Sequence, residues 1–93
     1  MKKTTKEFTR ELVDGESYEY VPLGKYVVAC PEICGGRPTF KYTRLEVSVI
    51  LDLLAAGYSI KDVLRKYADS DISAESIKEA VQLAKNAFLR SAA

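Results

Sequence analysis

The chain has 93 residues, two cysteines, no histidine and a formal net charge of only +1. This length is that of one small domain, and the near-neutral charge argues against strong nonspecific binding to DNA. Without histidine the chain lacks the commonest general base and metal ligand, so we expect no enzyme, no bound metal and no cofactor.

The first residues are polar and mixed in sign, and they contain no apolar segment typical of a secretory signal. We predict a flexible or loosely ordered arm over residues 1–17 and a single domain over residues 18–93. No apolar run in the sequence approaches the ~20 residues that cross a bilayer. We therefore predict a cytoplasmic protein that makes no contact with a membrane.

Residues 18–29 read YEYVPLGKYVVA, in which tyrosines and valines favour strands and Pro22 with Gly24 favours a tight turn. This segment predicts a short β-hairpin or β-arm, and we expect Thr39 and Phe40 to add one more short strand. A sheet of this size is too small to stand alone. We therefore expect a homodimer in which the arm pairs with, or is exchanged for, the arm of a second copy.

Both cysteines lie in residues 30–47, which read CPEICGGRPTFKYTRLEV. The glycines do not lead directly into a helix, as a phosphate-binding loop would, and no histidine is present to activate Cys30 or Cys34 as a nucleophile. We expect two free thiols of a reducing compartment, and the sequence assigns them no redox or regulatory role. We interpret the segment as a hinge that delivers Arg44 to the start of a helix.

The remaining sequence is helical. Thr43 and Glu46 fit a capping box before the first helix, LEVSVILDLLAA, and Gly57 ends that helix. Ser59, with an aspartate three residues later, caps the second helix, and Ser73 caps the third. The predicted buried stripes are Ile60, Val63, Leu64 and Tyr67 on the second helix, and Ile77, Ala80 or Val81, Ala84, and Ala87 or Phe88 on the third. The predicted outer face of the third helix carries Glu75, Lys78, Glu79, Gln82, Lys85 and Asn86.

These elements predict a mainly α fold, a three-helix helix-turn-helix bundle with a short N-terminal β-hairpin or β-arm. In helix-turn-helix proteins that bind DNA, the last helix enters the major groove and earlier elements contact phosphates. Glu75 and Glu79 would repel phosphates, so a scaffold or protein-interaction surface stays open as an alternative. The predicted DNA-binding residues are Arg37, Lys41, Arg44, Lys61, Arg65, Ser73, Ser76 and Lys78.

A family resemblance adds to this reading. The run PEICGGRPTFKYTRLEVSVILDLLAAGYSIKDVLRKY, continued by ISAESIKEAVQLA, resembles the small bacterial and archaeal family known as domain of unknown function 433. Its motifs occur in the family's order over residues 26 to about 87. Two positions depart from the family pattern. Tyr42 stands where the family has glycine, so this turn need not use a glycine-only conformation, and Ala68 stands where the family often has proline.

The resemblance implies a homeodomain-like helix-turn-helix fold that is commonly dimeric. It also implies an antitoxin or a transcriptional regulator, because many members look like antitoxins encoded beside a toxin with a PIN-like nuclease domain. We therefore expect an antitoxin-like protein that binds a PIN-like nuclease toxin and, in a second role, its own promoter DNA. The alternative is a dimeric protein-interaction module that does not bind DNA.

Overall fold

A computed structural model of the chain describes residues 8–92, which form four β-strands followed by three α-helices. The prediction of a mainly α protein is wrong, because this is an α+β fold. None of the described helices is long and apolar enough to cross a membrane. The strands are β1 (Thr9–Val13), β2 (Glu16–Pro22), β3 (Val27–Ala29) and β4 (Pro38–Phe40), with a 3₁₀ turn at Cys34–Gly36, and the helices are α1 (Val47–Ala55), α2 (Ile60–Lys66) and α3 (Ala74–Ala92).

The strands form one antiparallel sheet in the order β1-β2-β3-β4. Strand β2 is shared, because residues 16–20 pair with β1 and residues 21 and 22 pair with β3. The hairpin predicted within residues 18–29 and the short strand predicted at Thr39 and Phe40 are confirmed. The argument for borrowing an arm from a second copy does not hold, since β1 and β4 flank the hairpin within one subunit.

The two-residue turn Asp14-Gly15 joins β1 to β2, and its φ angles are 52° and 82°. Positive φ at both central positions is what a type I′ hairpin turn requires, and Asp-Gly is among its preferred sequences. Residues 9–13 were predicted to be loosely ordered but form a strand, whereas residues 1–7 lie outside the described residues. This first hairpin is the physical reason that the fold is α+β, because it extends the sheet from a short arm to four strands.

The main core lies between one face of the sheet and the helices. Because side chains alternate along a strand, Val27 faces the helices and Val28 faces the opposite side of the sheet. There Val28 packs with Tyr20 and Cys30 in a second, smaller cluster. The buried residues of the main core are Val27, Phe40, Val47, Ile50, Val63, Ile77 and Ala80.

The start of α1 differs from the prediction. The helix begins at Val47, and the predicted Thr43–Glu46 capping box does not form, because the Glu46 side chain makes no cap hydrogen bond. The Thr43 hydroxyl instead donates to the Phe40 carbonyl at 2.8 Å and accepts from the Leu45 amide at 3.0 Å. Thr43 therefore closes the turn between β4 and α1 rather than capping the helix.

The predicted end of α1 is confirmed at Gly57, which has a φ of 104°. The Gly57 amide donates to the Leu54 carbonyl at 3.0 Å, and the Tyr58 amide donates to the Leu53 carbonyl at 3.1 Å. This is the Schellman arrangement, in which a left-handed residue lets the last carbonyls find donors. Glycine suits the position because it has no β-carbon to oppose positive φ.

The serine caps of α2 and α3 are also confirmed. The Asp62 amide donates to Ser59 Oγ at 3.0 Å, and the Ser59 amide donates to Asp62 Oδ2 at 3.1 Å. At α3 the Ser76 amide donates to Ser73 Oγ at 3.1 Å, and the Ser73 amide donates to Ser76 Oγ at 2.9 Å. Ser76 thus takes the place of the carboxylate that usually completes a capping box.

Candidate functional site

A groove of about 480 Å³ lies between the sheet, α1 and α3. We call it the α3 groove. Most of its lining is apolar, and among the described residues its charged members are Arg37 and Arg90. The apolar side chains come from the sheet side (Leu23, Val27, Pro38), from α1 (Val47, Leu51) and from α3 (Ala80, Leu83, Ala84, Ala87).

Helix α3 is packed only over its first half. Ile77 is 0 % exposed and Ala80 is 1 % exposed, so both belong to the core. Beyond Leu83, every described side chain of the helix is exposed, including Phe88 at 70 % and Leu89 at 53 %. The stripe predicted to be buried is therefore buried only near the start of α3, and residues 8–92 leave its continuation uncovered.

Glu79 attaches α3 to the turn between β2 and β3. Its carboxylate accepts hydrogen bonds from the backbone amides of Lys25 at 2.7 Å, Tyr26 at 2.6 Å and Val27 at 3.1 Å. A β-carbon on Gly24 would lie 2.7 Å from the Glu79 carboxylate carbon, so glycine makes the close approach of the carboxylate possible. Glu79 was predicted on the outer face, and the structure instead gives it a structural role.

Two of the predicted DNA-binding arginines are ion-paired. The Arg37 Nε–H donates to both oxygens of Glu46 at 3.0 Å, which raises the pKa of the Arg37 guanidinium. Arg65 Nη1 lies 3.4 Å from Asp62 Oδ1, and the pKa of Asp62 is lowered chiefly by the Ser59 backbone amide. The side chains of Arg37 and Arg65 remain 65 % and 71 % exposed, so both still meet solvent.

Lys41 lies in a cluster that joins the β1–β2 hairpin to the rest of the protein. The hydroxyls of Tyr20 and Tyr42 donate to the two carboxylate oxygens of Glu11, and these bonds lower the pKa of Glu11. The Lys41 ammonium is 3.7 Å from Glu11 Oε2 and lies 4.9 Å and 5.0 Å from the ring centroids of Tyr20 and Tyr42. Lys41 is thus held by a carboxylate and two cation–π contacts.

Tyr42 has a left-handed backbone, with a φ of 67°. The turn thus adopts the left-handed conformation with a tyrosine in place of the family's glycine. Such a conformation costs a residue with a β-carbon about 1–2 kcal/mol. The Tyr42 amide donates to the Tyr18 hydroxyl at 2.7 Å, and the two ring centroids are 5.2 Å apart. Burial raises the pKa of the Tyr18 hydroxyl. The hydrogen bond and ring contact with Tyr18 hold Tyr42 in place.

The other predicted DNA-binding residues fall into two groups. Ser73 and Ser76 cap α3, and Ser76 is only 3 % exposed. Arg44, Lys61 and Lys78 are exposed and take no part in the ion pairs found among residues 8–92. The structure thus leaves these three cations available to a ligand and commits the two serines to the fold.

The cysteines and the acidic residues form no metal centre in the part of the chain that the structure describes, where no group of three or more potential ligands comes together. Cys30 is buried and Cys34 is partly exposed, and both are free thiols. The Cys34 thiol donates to the Arg44 carbonyl at 3.3 Å. Cys34 therefore helps to hold the segment before α1.

The fold and the groove define a small α+β protein in which a four-stranded sheet packs on three helices, with a mostly apolar groove between them that the described part of the chain leaves open. Residues 27–84 match the family described as Protein of unknown function (DUF433), and the chain belongs to this family. The resemblance found in the sequence is confirmed to this extent. Comparison with curated proteins and with solved structures gave no match. The first hairpin and the last turns of α3 lie outside the matched residues.

Proposed function

We propose that the chain is an antitoxin-type protein that binds a PIN-like nuclease toxin through the α3 groove. The observation that carries the proposal is the groove itself, whose lining is mostly apolar and whose α3 wall includes the exposed residues Ala84 and Ala87. Apolar surface of this kind on a small protein is typical of a binding site. The nuclease as partner rests on the family resemblance, and the chain is assigned no reaction of its own.

The charges favour a protein over DNA as the main ligand. Of the cations predicted to contact DNA, Arg37, Lys41 and Arg65 each have a carboxylate neighbour that would oppose a phosphate. Ser76, predicted at the start of a recognition helix, is buried in a cap. With a net charge of +1, the chain as a whole offers little electrostatic attraction to a nucleic acid.

Promoter DNA is the second candidate ligand, and the exposed cations Arg44, Lys61 and Lys78 favour it. Three phosphate contacts would give a shallow salt dependence, with log K falling by about 2.7 per tenfold rise in salt. Gel-shift titration of the upstream region at two salt concentrations tests this role. DNA that stays unshifted at low salt contradicts it.

Co-expression tests the main proposal. The tagged full chain is expressed together with the product of the neighbouring gene, which we expect to be a PIN-like nuclease that co-purifies with the chain and loses its activity on RNA. A nuclease that neither co-purifies nor loses activity contradicts the proposal. The alternative, a dimeric interaction module, requires that light scattering show a dimer of the chain alone at micromolar concentration. It also requires that the gel-shift titration show no binding of DNA.

A further inference from the structure

We propose that the α3 groove takes an amphipathic segment of a different protein, whose apolar side chains enter the groove and whose carboxylates contact Arg37 and Arg90. This inference rests on the proposed function in treating the groove as the binding surface. It adds the chemistry of the partner, and it rejects the α3 helix of a second copy as the occupant.

The wall that α3 contributes to the groove includes three alanines. Ala80, Ala84 and Ala87 are spaced by four and three residues, so they lie on one face of the helix. Their short side chains leave room between α3 and the larger residues opposite, Val27 on the sheet and Leu51 on α1. A row of small residues facing larger ones suits the side chains of an inserted helix or strand.

The charge of the groove has one sign. Both charged residues that line it are arginines, and no carboxylate of the described chain is part of the lining. Arg37 pairs through its Nε–H with Glu46, which offsets its charge, so its terminal N–H groups attract a partner carboxylate less strongly than Arg90 does. Arg90 lies in the last turn of α3 and takes part in no ion pair within the described residues. Planar guanidinium groups at this position fit bidentate carboxylates.

The same charges argue against a second copy in the groove. From residue 80 to its end, the sequence contains Lys85 and Arg90 and no aspartate or glutamate. Pairing two α3 helices about a two-fold axis would therefore bring cations of one copy to Arg37 and Arg90 of the other. Like charges placed together disfavour such an interface, whereas a partner with carboxylates gains at the same positions.

Two synthetic amphipathic helical peptides test the inference with the full chain. They share one leucine stripe and differ only in the residues beside it, which are glutamate in one peptide and lysine in the other. Fluorescence anisotropy at low salt is expected to show the glutamate peptide bound at least about tenfold more tightly. Chemical-shift changes are expected at Leu51 and Ala84, which line the groove. Equal affinities for the two peptides overturn the proposal.

A charge reversal supplies the second arm of this test. Arg90→Glu is expected to abolish the preference for the glutamate peptide, whereas Lys85→Glu, on the same helix but outside the lining, preserves it. Both positions are exposed, so circular dichroism should show both variants folded. The inference is overturned if Arg90→Glu and Lys85→Glu change the preference for the glutamate peptide equally. It is also overturned if the wild-type protein is a dimer and Arg90→Glu dissociates that dimer. The peptides require no nuclease, so failure of the nuclease to bind would contradict the proposed function alone.

Discussion

The carboxylate of Glu79 occupies the space that a side chain on Gly24 would need, since a β-carbon built there lies 2.8 Å from each carboxylate oxygen. The two residues are far apart in sequence and belong to α3 and to the turn between β2 and β3. From this position the carboxylate satisfies three consecutive main-chain amides. The contact therefore fixes the helix that forms one wall of the groove to the sheet that forms another.

Removing this carboxylate should destabilise the protein. Glu79→Ala is expected to lower the free energy of unfolding by about 2–3 kcal/mol, because three amides lose a charged acceptor together. Urea unfolding followed by circular dichroism measures the change. Glu75→Ala is the matched control, since this exposed residue of the first turn contributes about 0.3–1 kcal/mol through the helix dipole. Equal losses in the two variants would refute the role of Glu79.

The close approach at Gly24 predicts a strong coupling between two substitutions. Gly24→Ala alone is expected to cost about 1–3 kcal/mol, because the new methyl group overlaps the carboxylate. Gly24 is not among the residues with positive φ, so the backbone itself tolerates alanine. In the Glu79→Ala background the same change should be neutral or stabilising by about 0.4–1 kcal/mol. A double-mutant cycle by urea unfolding decides, and additive effects would exclude the steric explanation.

The left-handed backbone at Tyr42 predicts that a glycine at this position makes the protein more stable than an alanine does. Tyr42→Gly and Tyr42→Ala both remove the ring and its hydroxyl, so they differ only in tolerance of a φ of 67°. The glycine variant is expected to be more stable by about 1 kcal/mol. At an ordinary backbone position alanine would be the more stable of the two. Thermal unfolding compares them, and a more stable alanine variant would show that the turn is not left-handed in solution.

Stability should depend on the ionisation of Glu11. The hydrogen bonds from Tyr20 and Tyr42 hold the pKa of Glu11 below its ordinary value of 4.5. The stabilisation they provide is therefore fully present above about pH 4.5 and is lost as the pH falls through the lowered folded-state pKa. The stability difference between wild type and Glu11→Gln is thus expected to be large at pH 7 and to shrink toward pH 3. Urea midpoints at both values test this, and a difference that is constant with pH would count against it.

Local signals predicted the parts of the fold whose partners lie close in the chain. The cap at Ser59 and the helix end at Gly57 depend on residues one turn away, so the sequence alone reveals them. The capping box predicted at Thr43 does not form because Arg37 competes for the Glu46 carboxylate. Glu46 has the right spacing, but β4 and its preceding turn bring Arg37 to it, and an arginine is a stronger partner than a backbone amide.

The first hairpin was predictable and was missed. Asp14-Gly15 between two runs of alternating character is a strong hairpin signal, and the mixed charges around it obscured the alternation. The hydrogen bonds that the Glu79 carboxylate accepts from the turn between β2 and β3 could not be predicted from the sequence. Helical periodicity places its side chain on the outer face, and only the folded sheet brings the amides of residues 25–27 to it.

The groove itself could not be inferred from the sequence. Ile77 and Phe88 follow one helical period, and nothing in the pattern tells which of them the sheet will cover. The structure separates them, with exposed fractions of 0 % and 70 %. The groove in turn depends on side chains from the sheet and α1 as well as α3, and only the folded chain brings these together.

The affinity of the proposed partner, a PIN-like nuclease, for a groove variant tests the central claim most directly. Ala87→Gln fills part of the groove from an exposed helix position, and Asn86→Gln places the same side chain just outside the lining. Both variants should unfold within about 0.5 kcal/mol of wild type. Isothermal titration calorimetry is expected to show binding weakened at least about tenfold by Ala87→Gln and unchanged by Asn86→Gln. Equal affinity of the nuclease for the wild type, Ala87→Gln and Asn86→Gln would contradict the proposed binding site.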